Sequence, residues 1–168
     1  LPRRVSCPQF AMRQPVRIVS HGTVRSGRKV EKLWQDRALT EIGPAFKGYP
    51  ESELKTIPSL ELQTIASVPE DKSSRPYQSE TRLTLSASSY DILDLGTNLT
   101  GFLGAHVECR RPCRLFFLFD EILTDGDVDF KRLGCVNIVV WELRPGTYGI
   151  ETFEPYTLRY LKLLVLEG

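Results

Sequence analysis

The chain holds 168 residues, 41% hydrophobic and 26% charged, with a formal net charge of +1. That length suits one domain, or one domain plus an arm, and can bury a core without help from disulfides or metal. A charge so near zero argues against a broad electrostatic footprint for nucleic acid or an anionic membrane, and no apolar run approaches the roughly 20 residues that span a bilayer.

Leu1-Pro2-Arg3-Arg4 opens the chain, without initiator Met or the apolar core of a signal peptide, so a piece of a longer protein is expected. Pro2, Pro8 and Pro15 mark an extended arm, and Arg13, Arg17, Arg25, Arg28 and Lys29 make the region locally basic, a pattern that fits a solvated face. In "PVRIVSHGTV" the residues Val16, Ile18 and Ser20 share one face and Arg17 and Val19 the other, which predicts a strand closed by a turn at "RSGRK". "EKLWQDRALTEIG" spaces Leu33, Trp34, Ala38 and Ile42 as a short helix would, ending at Gly43. Prolines then punctuate the chain at positions 44, 50, 58, 69 and 76. Between them "LELQTIASV" alternates as a strand would, and "PEDKSSRPYQS" reads as a polar surface loop.

The second half is a run of short strands with turn signals between them. "TRLTLSAS" alternates around Leu83 and Leu85; "YDILDLG" and "TNLTGFLGAHVEC" follow, with "GTNLTG" read as a turn. "RLFFLFDEIL" is too apolar to alternate, as expected of a strand covered on both faces. "TDGD" is a turn, "CVNIVVWEL" a strand with Trp141 in its core face, and "RPGTYG" another turn. "LRYLKLLVLEG" is the last strand, with Leu161, Leu163 and Val165 inward and Arg159 outward. Strands at this spacing, with at most one short helix, predict an all-β chain: an antiparallel β-sandwich of the jelly-roll or concanavalin-like kind. Residues 1–60 are assigned to an arm, strand and short helix packing on a sandwich formed by residues 61–168.

Residues that carry chemistry are sparse. Neither His21 nor His106 lies beside a recognisable nucleophile, and no phosphate-binding glycine loop, nucleophile elbow or zinc-binding helix motif is present. Asp125, Asp127 and Asp129 alternate carboxylates as hard cations prefer, so a structural Ca²⁺ is the candidate metal beside the plainer reading of a soluble hairpin tip; no other cofactor is expected. Cys109 and Cys113 form a C-x₃-C pair; free thiols, a disulfide and a metal site all remain open for them, with Cys7 and Cys135 far off in sequence. Asn98-Leu99-Thr100 is formally a glycosylation sequon. Sugars stack on exposed rings, and Trp34, Tyr148 and Tyr156 are the candidate carbohydrate-binding residues, the two tyrosines because they fall in a turn and a loop.

From Tyr90 onward the chain resembles the β-sandwich domain that precedes the catalytic barrel of bacterial α-L-rhamnosidases. "ILDLGTNLTGFLGAHVE" resembles that family's strand with Asp-Leu-Gly, "FFLFDEILTDGDV" its apolar strand and acidic-Gly turn, and "YGIETFEPYTLRYLKLLV" its Phe-x-Pro segment followed by Arg-Tyr in the final strand. "ELKTIPSLEL" resembles its Arg-x-Ile-Pro lead-in. The pattern departs at "PYTL", where the family commonly carries His and Gly, and at "CVNIVVW", where its Thr-Asp is missing. The resemblance implies an accessory, non-catalytic domain whose partner is a C-terminal (α/α)₆ catalytic domain of the same parent chain, with this chain ending where that barrel begins. In such enzymes the barrel supplies one carboxyl as acid and one as base for an inverting hydrolysis of terminal α-L-rhamnose. A rhamnose-containing glycan is then a second expected contact, and a periplasmic or extracellular location is expected over a cytoplasmic one. Two other readings stand beside this one: a free-standing carbohydrate-binding module, and a protein-interaction sandwich unrelated to sugars.

Overall fold

A computed structural model describes residues 9–34, 36, 58–71, 73–78 and 80–167. Among them are nine strands and one helix: β1 (Arg17–Ser26), α1 (Pro58–Gln63), β2 (Ile65–Asp71), β3 (Arg75–Pro76), β4 (Ser89–Gly101), β5 (Gly104–Cys109), β6 (Cys113–Asp120), β7 (Ile138–Leu143), β8 (Gly146–Glu151) and β9 (Tyr156–Val165). The chain is an all-β sandwich. Its main sheet runs β2-β1-β4-β9-β6-β7, with β3 on β1, and a separate two-stranded ribbon pairs β5 with β8. Every pairing is antiparallel.

The main sheet has two apolar faces, because its central strands alternate two sets of large side chains. Leu115, Phe117 and Phe119 of β6 lie on the face toward the ribbon, with Leu93, Leu158 and Leu161, and Ala105, Val107, Tyr148 and Ile150 of the ribbon pack onto them. Phe116 and Leu118 point the other way, with Ile92 and Leu164, and are covered by Leu62 of α1 and by Val128 and Phe130 of the β6–β7 connection. Phe116, Phe117 and Phe119 are almost wholly buried, each contributing roughly 1.5–3 kcal/mol by leaving water. This double cover is why the β6 sequence shows no polar alternation.

Two glycines permit close approaches. A side chain at Gly22 would collide with the Val68 carbonyl and the Tyr90 hydroxyl, at the bulge where β1 passes β2. Gly96, at φ 81°, turns the irregular middle of β4 between Asp94 and Leu99.

Several expectations are corrected. Pro58–Gln63, read as leading into and beginning a strand, is a helix, and the strand starts only at Ile65; Pro58 supplies a fixed φ at the first helical position. The "polar loop" after it holds the end of β2 and all of β3. "TRLTLSAS" alternates in burial, with Leu83 and Leu85 packed on the core, but makes no ladder. The stretch read as a turn at "GTNLTG" is part of β4, and "GTYGIE" is strand β8. Of the predicted helix at 31–43, residues 31–34 and 36 are not helical and the rest lies outside the described residues.

Candidate functional site

The three aromatic candidates do not converge. Tyr148 stands in β8, half-buried against the ribbon-side core, and its hydroxyl donates to the Arg144 carbonyl at 2.9 Å. Tyr156 opens β9 and tilts against Phe119 with ring centroids 4.7 Å apart; burial, then Glu154, raises its phenol above the ordinary value. Trp34 lies with α1, its backbone N–H and carbonyl bound by the Gln63 side chain at 2.7 and 2.9 Å. Since α1 covers the opposite face of the main sheet, Trp34 shares no surface with the tyrosines.

The acidic turn is a two-residue hairpin. Asp125 (φ 53°) and Gly126 (φ 81°) both take the left-handed backbone, and Thr124 and Asp127 exchange N–H···O bonds of 2.9 and 3.0 Å. The hairpin turns the Asp127 carboxylate inward. Its Oδ1 and Oδ2 accept from Lys162 Nζ at 2.7 and 2.9 Å, and Ser67 Oγ donates to Oδ2 at 2.5 Å. Lys162 also donates to Ser67 Oγ at 2.6 Å and lies 4.2 Å from the centre of the Tyr90 ring. Asp129 is engaged by Lys131 Nζ at 2.7 Å. Asp125 is exposed at the tip, so the three carboxylates face different partners, and among the described residues no group of three or more His, Cys, Asp or Glu could hold a metal.

Lys162 is the residue that strand periodicity missed. The reading of β9 placed Leu161, Leu163 and Val165 inward and Arg159 outward and gave Lys162 no role, yet only 4% of it is exposed. Burial lowers its pKa from the ordinary lysine value, and Asp127 opposes that fall. The available signal was a single ammonium inside "YLKLLVL", a stretch with no other polar side chain after its tyrosine.

Two further buried carboxylates sit in fixed pairs. Asp120, fully buried, takes Arg132 Nε and Nη2 at 2.6 and 2.7 Å and the Glu121 N–H at 2.8 Å. Asp94 takes Arg159 Nε and Nη2 at 2.9 and 3.1 Å and the Gly96 N–H at 2.7 Å; the Arg159 bond above all holds its carboxyl below the ordinary range. Arg159 thus points outward only in part.

Two features were not singled out from sequence. Arg114 of β6 forks onto Glu61 of α1 at 2.7 and 2.8 Å and reaches Glu167 at 2.6 Å, clasping the helix to the chain's last described residues. At one end of the sandwich Phe102 and Phe153 are exposed on adjacent loops, joined where Leu103 and Thr152 exchange hydrogen bonds of 2.9 and 3.0 Å, and Phe10 rests 5.9 Å from Phe102. Attention to tryptophan and tyrosine passed over these phenylalanines.

No protein-family model matches the chain, and no curated protein matches it. Among solved structures it is similar to a GH78 family rhamnosidase of Bacillus sp. GL1, at 21% identity and a TM-score of 0.43, over 50% of this chain and 9% of that one. It is also similar to a rhamnosidase from Klebsiella oxytoca with rhamnose bound, at 14% identity and a TM-score of 0.45, over 92% of this chain and 26% of that one. The chain therefore spans only a small part of either neighbour's length.

Proposed function

We propose that the chain is an accessory, non-catalytic β-sandwich domain of an α-L-rhamnosidase-type glycoside hydrolase, supporting an (α/α)₆ catalytic barrel in the same parent protein. The observation that carries this reading is the meeting of Asp94 and Arg159. They belong to two motifs through which the sequence resembles that family, Asp-Leu-Gly and the final Arg-Tyr, and they sit 65 positions apart. In the fold they form one bidentate ion pair, closed on its third side by the Gly96 N–H. The motif residues thereby have a structural task, pinning β9 to the irregular middle of β4. Of the segments carrying the resemblance, "ILDLGTNLTG", "FFLFD" and "YTLRYLKLLV" fall on β4, β6 and β9, which lie side by side in the main sheet, while "GAHVE" and "YGIE" form the ribbon.

Chemistry in such an enzyme would need carboxyls free to give and take protons across a cleft. Asp94, Asp120 and Asp127 are instead each neutralised by a cation within the sandwich. Contact with a rhamnose-containing glycan through Tyr148 or Tyr156 is a narrower part of the proposal, limited by how far both rings are already packed.

Incubating the purified chain with an aryl α-L-rhamnoside tests the main reading: no aryl group should be released, and steady turnover would overturn it. The gene beyond Gly168 should encode a mostly helical domain with paired carboxylates, and an unrelated continuation would remove the parent enzyme from the account. Calorimetric titration with rhamnose separates the narrower claim. Saturable heat lost in Tyr148→Ala or Tyr156→Ala supports glycan contact, and a heatless titration eliminates it.

A further inference from the structure

We propose that Cys109 and Cys113 are a redox modification site, closing reversibly into a disulfide across the turn that joins the ribbon to the main sheet. Cys109 ends β5 and pairs with Gly146 of β8, while Cys113 opens β6 and pairs with Leu143 of β7. The two sulfurs therefore belong to different layers, yet they lie only 3.5 Å apart. A disulfide bond is roughly 2.0 Å long, so closure asks for an approach of about 1.5 Å at the tips of two side chains. The ladders fix both backbone ends, and Pro112 restricts the turn between them. The Cys109 thiol, 2.7 Å from the Arg111 carbonyl, is already drawn over that turn.

Access favours one order of events. Cys109 is buried and Cys113 half-buried, so an incoming disulfide meets Cys113 first. Arg110 and Arg111 are exposed beside it, which suits a small disulfide bearing carboxylates, such as oxidised glutathione. The Cys113 thiolate attacks one sulfur of that reagent, forming a mixed disulfide and expelling one glutathione thiolate. The Cys109 thiolate then attacks the Cys113 sulfur and expels the second. Two protein thiols are oxidised, one glutathione disulfide is reduced to two thiols, and the protons released from the protein end on glutathione or in the buffer. Burial first, then the neighbouring Cys109, pushes the Cys113 thiol up to about 11, so exchange at neutral pH should take minutes to hours. Cys135 is exposed and hydrogen-bonded to Asn137, with no second sulfur beside it among the described residues; Cys7 lies outside them.

The test equilibrates the full chain with oxidised and reduced glutathione, alkylates the remaining thiols and maps tryptic peptides. Cleavage after Arg110 separates the two cysteines, so the proposed bond appears as the Cys109 and Cys113 peptides held together and released by reductant. In Cys109→Ser, glutathione should instead persist on Cys113. If that variant fails to fold, the wild-type map still decides. Persistent glutathione on wild-type Cys113, or full alkylation of both cysteines after prolonged oxidation, would overturn the proposal.

Discussion

The two faces of the main sheet are built by different means. Toward the ribbon the contact is dry and aromatic: Phe117 meets Trp141 with ring centroids 4.5 Å apart, Phe119 meets Tyr156, and leucines fill the rest. Away from it, an equally apolar patch around Phe116 and Ile92 borders a polar network in which Lys162 spans Ser67 and Asp127 over the Tyr90 ring. The dry face depends on volume. The mixed face depends on every charge keeping its partner, because an ion stripped of water and left unpaired costs more than any single hydrophobic contact returns.

Truncation on the dry face should have the largest effect. Phe117→Ala removes a ring that is 2% exposed and locked between β6 neighbours and Trp141, and should cost about 3–5 kcal/mol in urea unfolding. A loss under about 1 kcal/mol would mean the ribbon collapses onto the gap and that the face is not packed as described. On the mixed face, Asp127→Asn keeps the volume but strands the Lys162 ammonium. Breaking a buried pair costs about 3–5 kcal/mol; water reaching the third-exposed Asp127 site should reduce that to about 2–3 kcal/mol. The deficit should shrink as pH rises. Burial holds the folded pKa of Lys162 below its unfolded value and Asp127 opposes that fall. Without Asp127 the folded value lies lower still, so the variant's unfolded chain binds more protons over a wider window and its stability climbs with pH more than the wild type's. A deficit unchanged from pH 7 to 10 would contradict this account of the lysine.

The same contrast explains what could be read in advance. Strands β6, β7 and β9 announce themselves because their apolar residues are large and continuous, and burial of such residues leaves few alternatives; β1 shows by its alternation, and only the apolar first half of β4 was read as strand. The β-sandwich follows from their number and spacing. What escaped depends on partners distant in sequence: β8 is a strand because β5 lies beside it, and "GTYGIE" has only Tyr148 and Ile150 to suggest so. Leu83 and Leu85 show the reverse, since alternation records which side chains are buried and not whether a ladder forms. For the candidate site, Tyr148 and Tyr156 were read as lying in a turn and a loop, yet they stand in β8 and at the start of β9, and their burial is set by Phe119 and the ribbon core, which no local pattern encodes. Lys162 escaped because its partners, Asp127 and Ser67, stand 35 and 95 positions away.

A smaller effect separates the Asp94–Arg159 pair from both faces. Its carboxyl is held below the ordinary range, first by Arg159 and also by the Gly96 N–H, so its stabilisation is present above the unfolded aspartate value near pH 3.9 and disappears as pH falls through the lower folded value. Thermal unfolding of wild type and Asp94→Asn should therefore differ most at neutral pH and converge in acid. Curves that stay parallel down to pH 3 would show that Asp94 contributes through shape alone, and would weaken the structural role given to the two motifs.

The smallest expected effect concerns Ca²⁺ at the hairpin tip. The Asp127 oxygens are already bound by an ammonium, a hydroxyl and the Val128 N–H, and Asp129 holds Lys131. A divalent cation bridging them would have to expel Lys162 into an environment where burial disfavours its charge. Of the three carboxylates, Asp125 at the exposed tip has no such cation among the described residues, and one carboxylate binds Ca²⁺ weakly. Millimolar Ca²⁺ should consequently leave the wild-type Tm unchanged. A saturable rise that Asp125→Asn abolishes would mean the turn opens to the ion, and that the mixed face exchanges its internal cation for an external one.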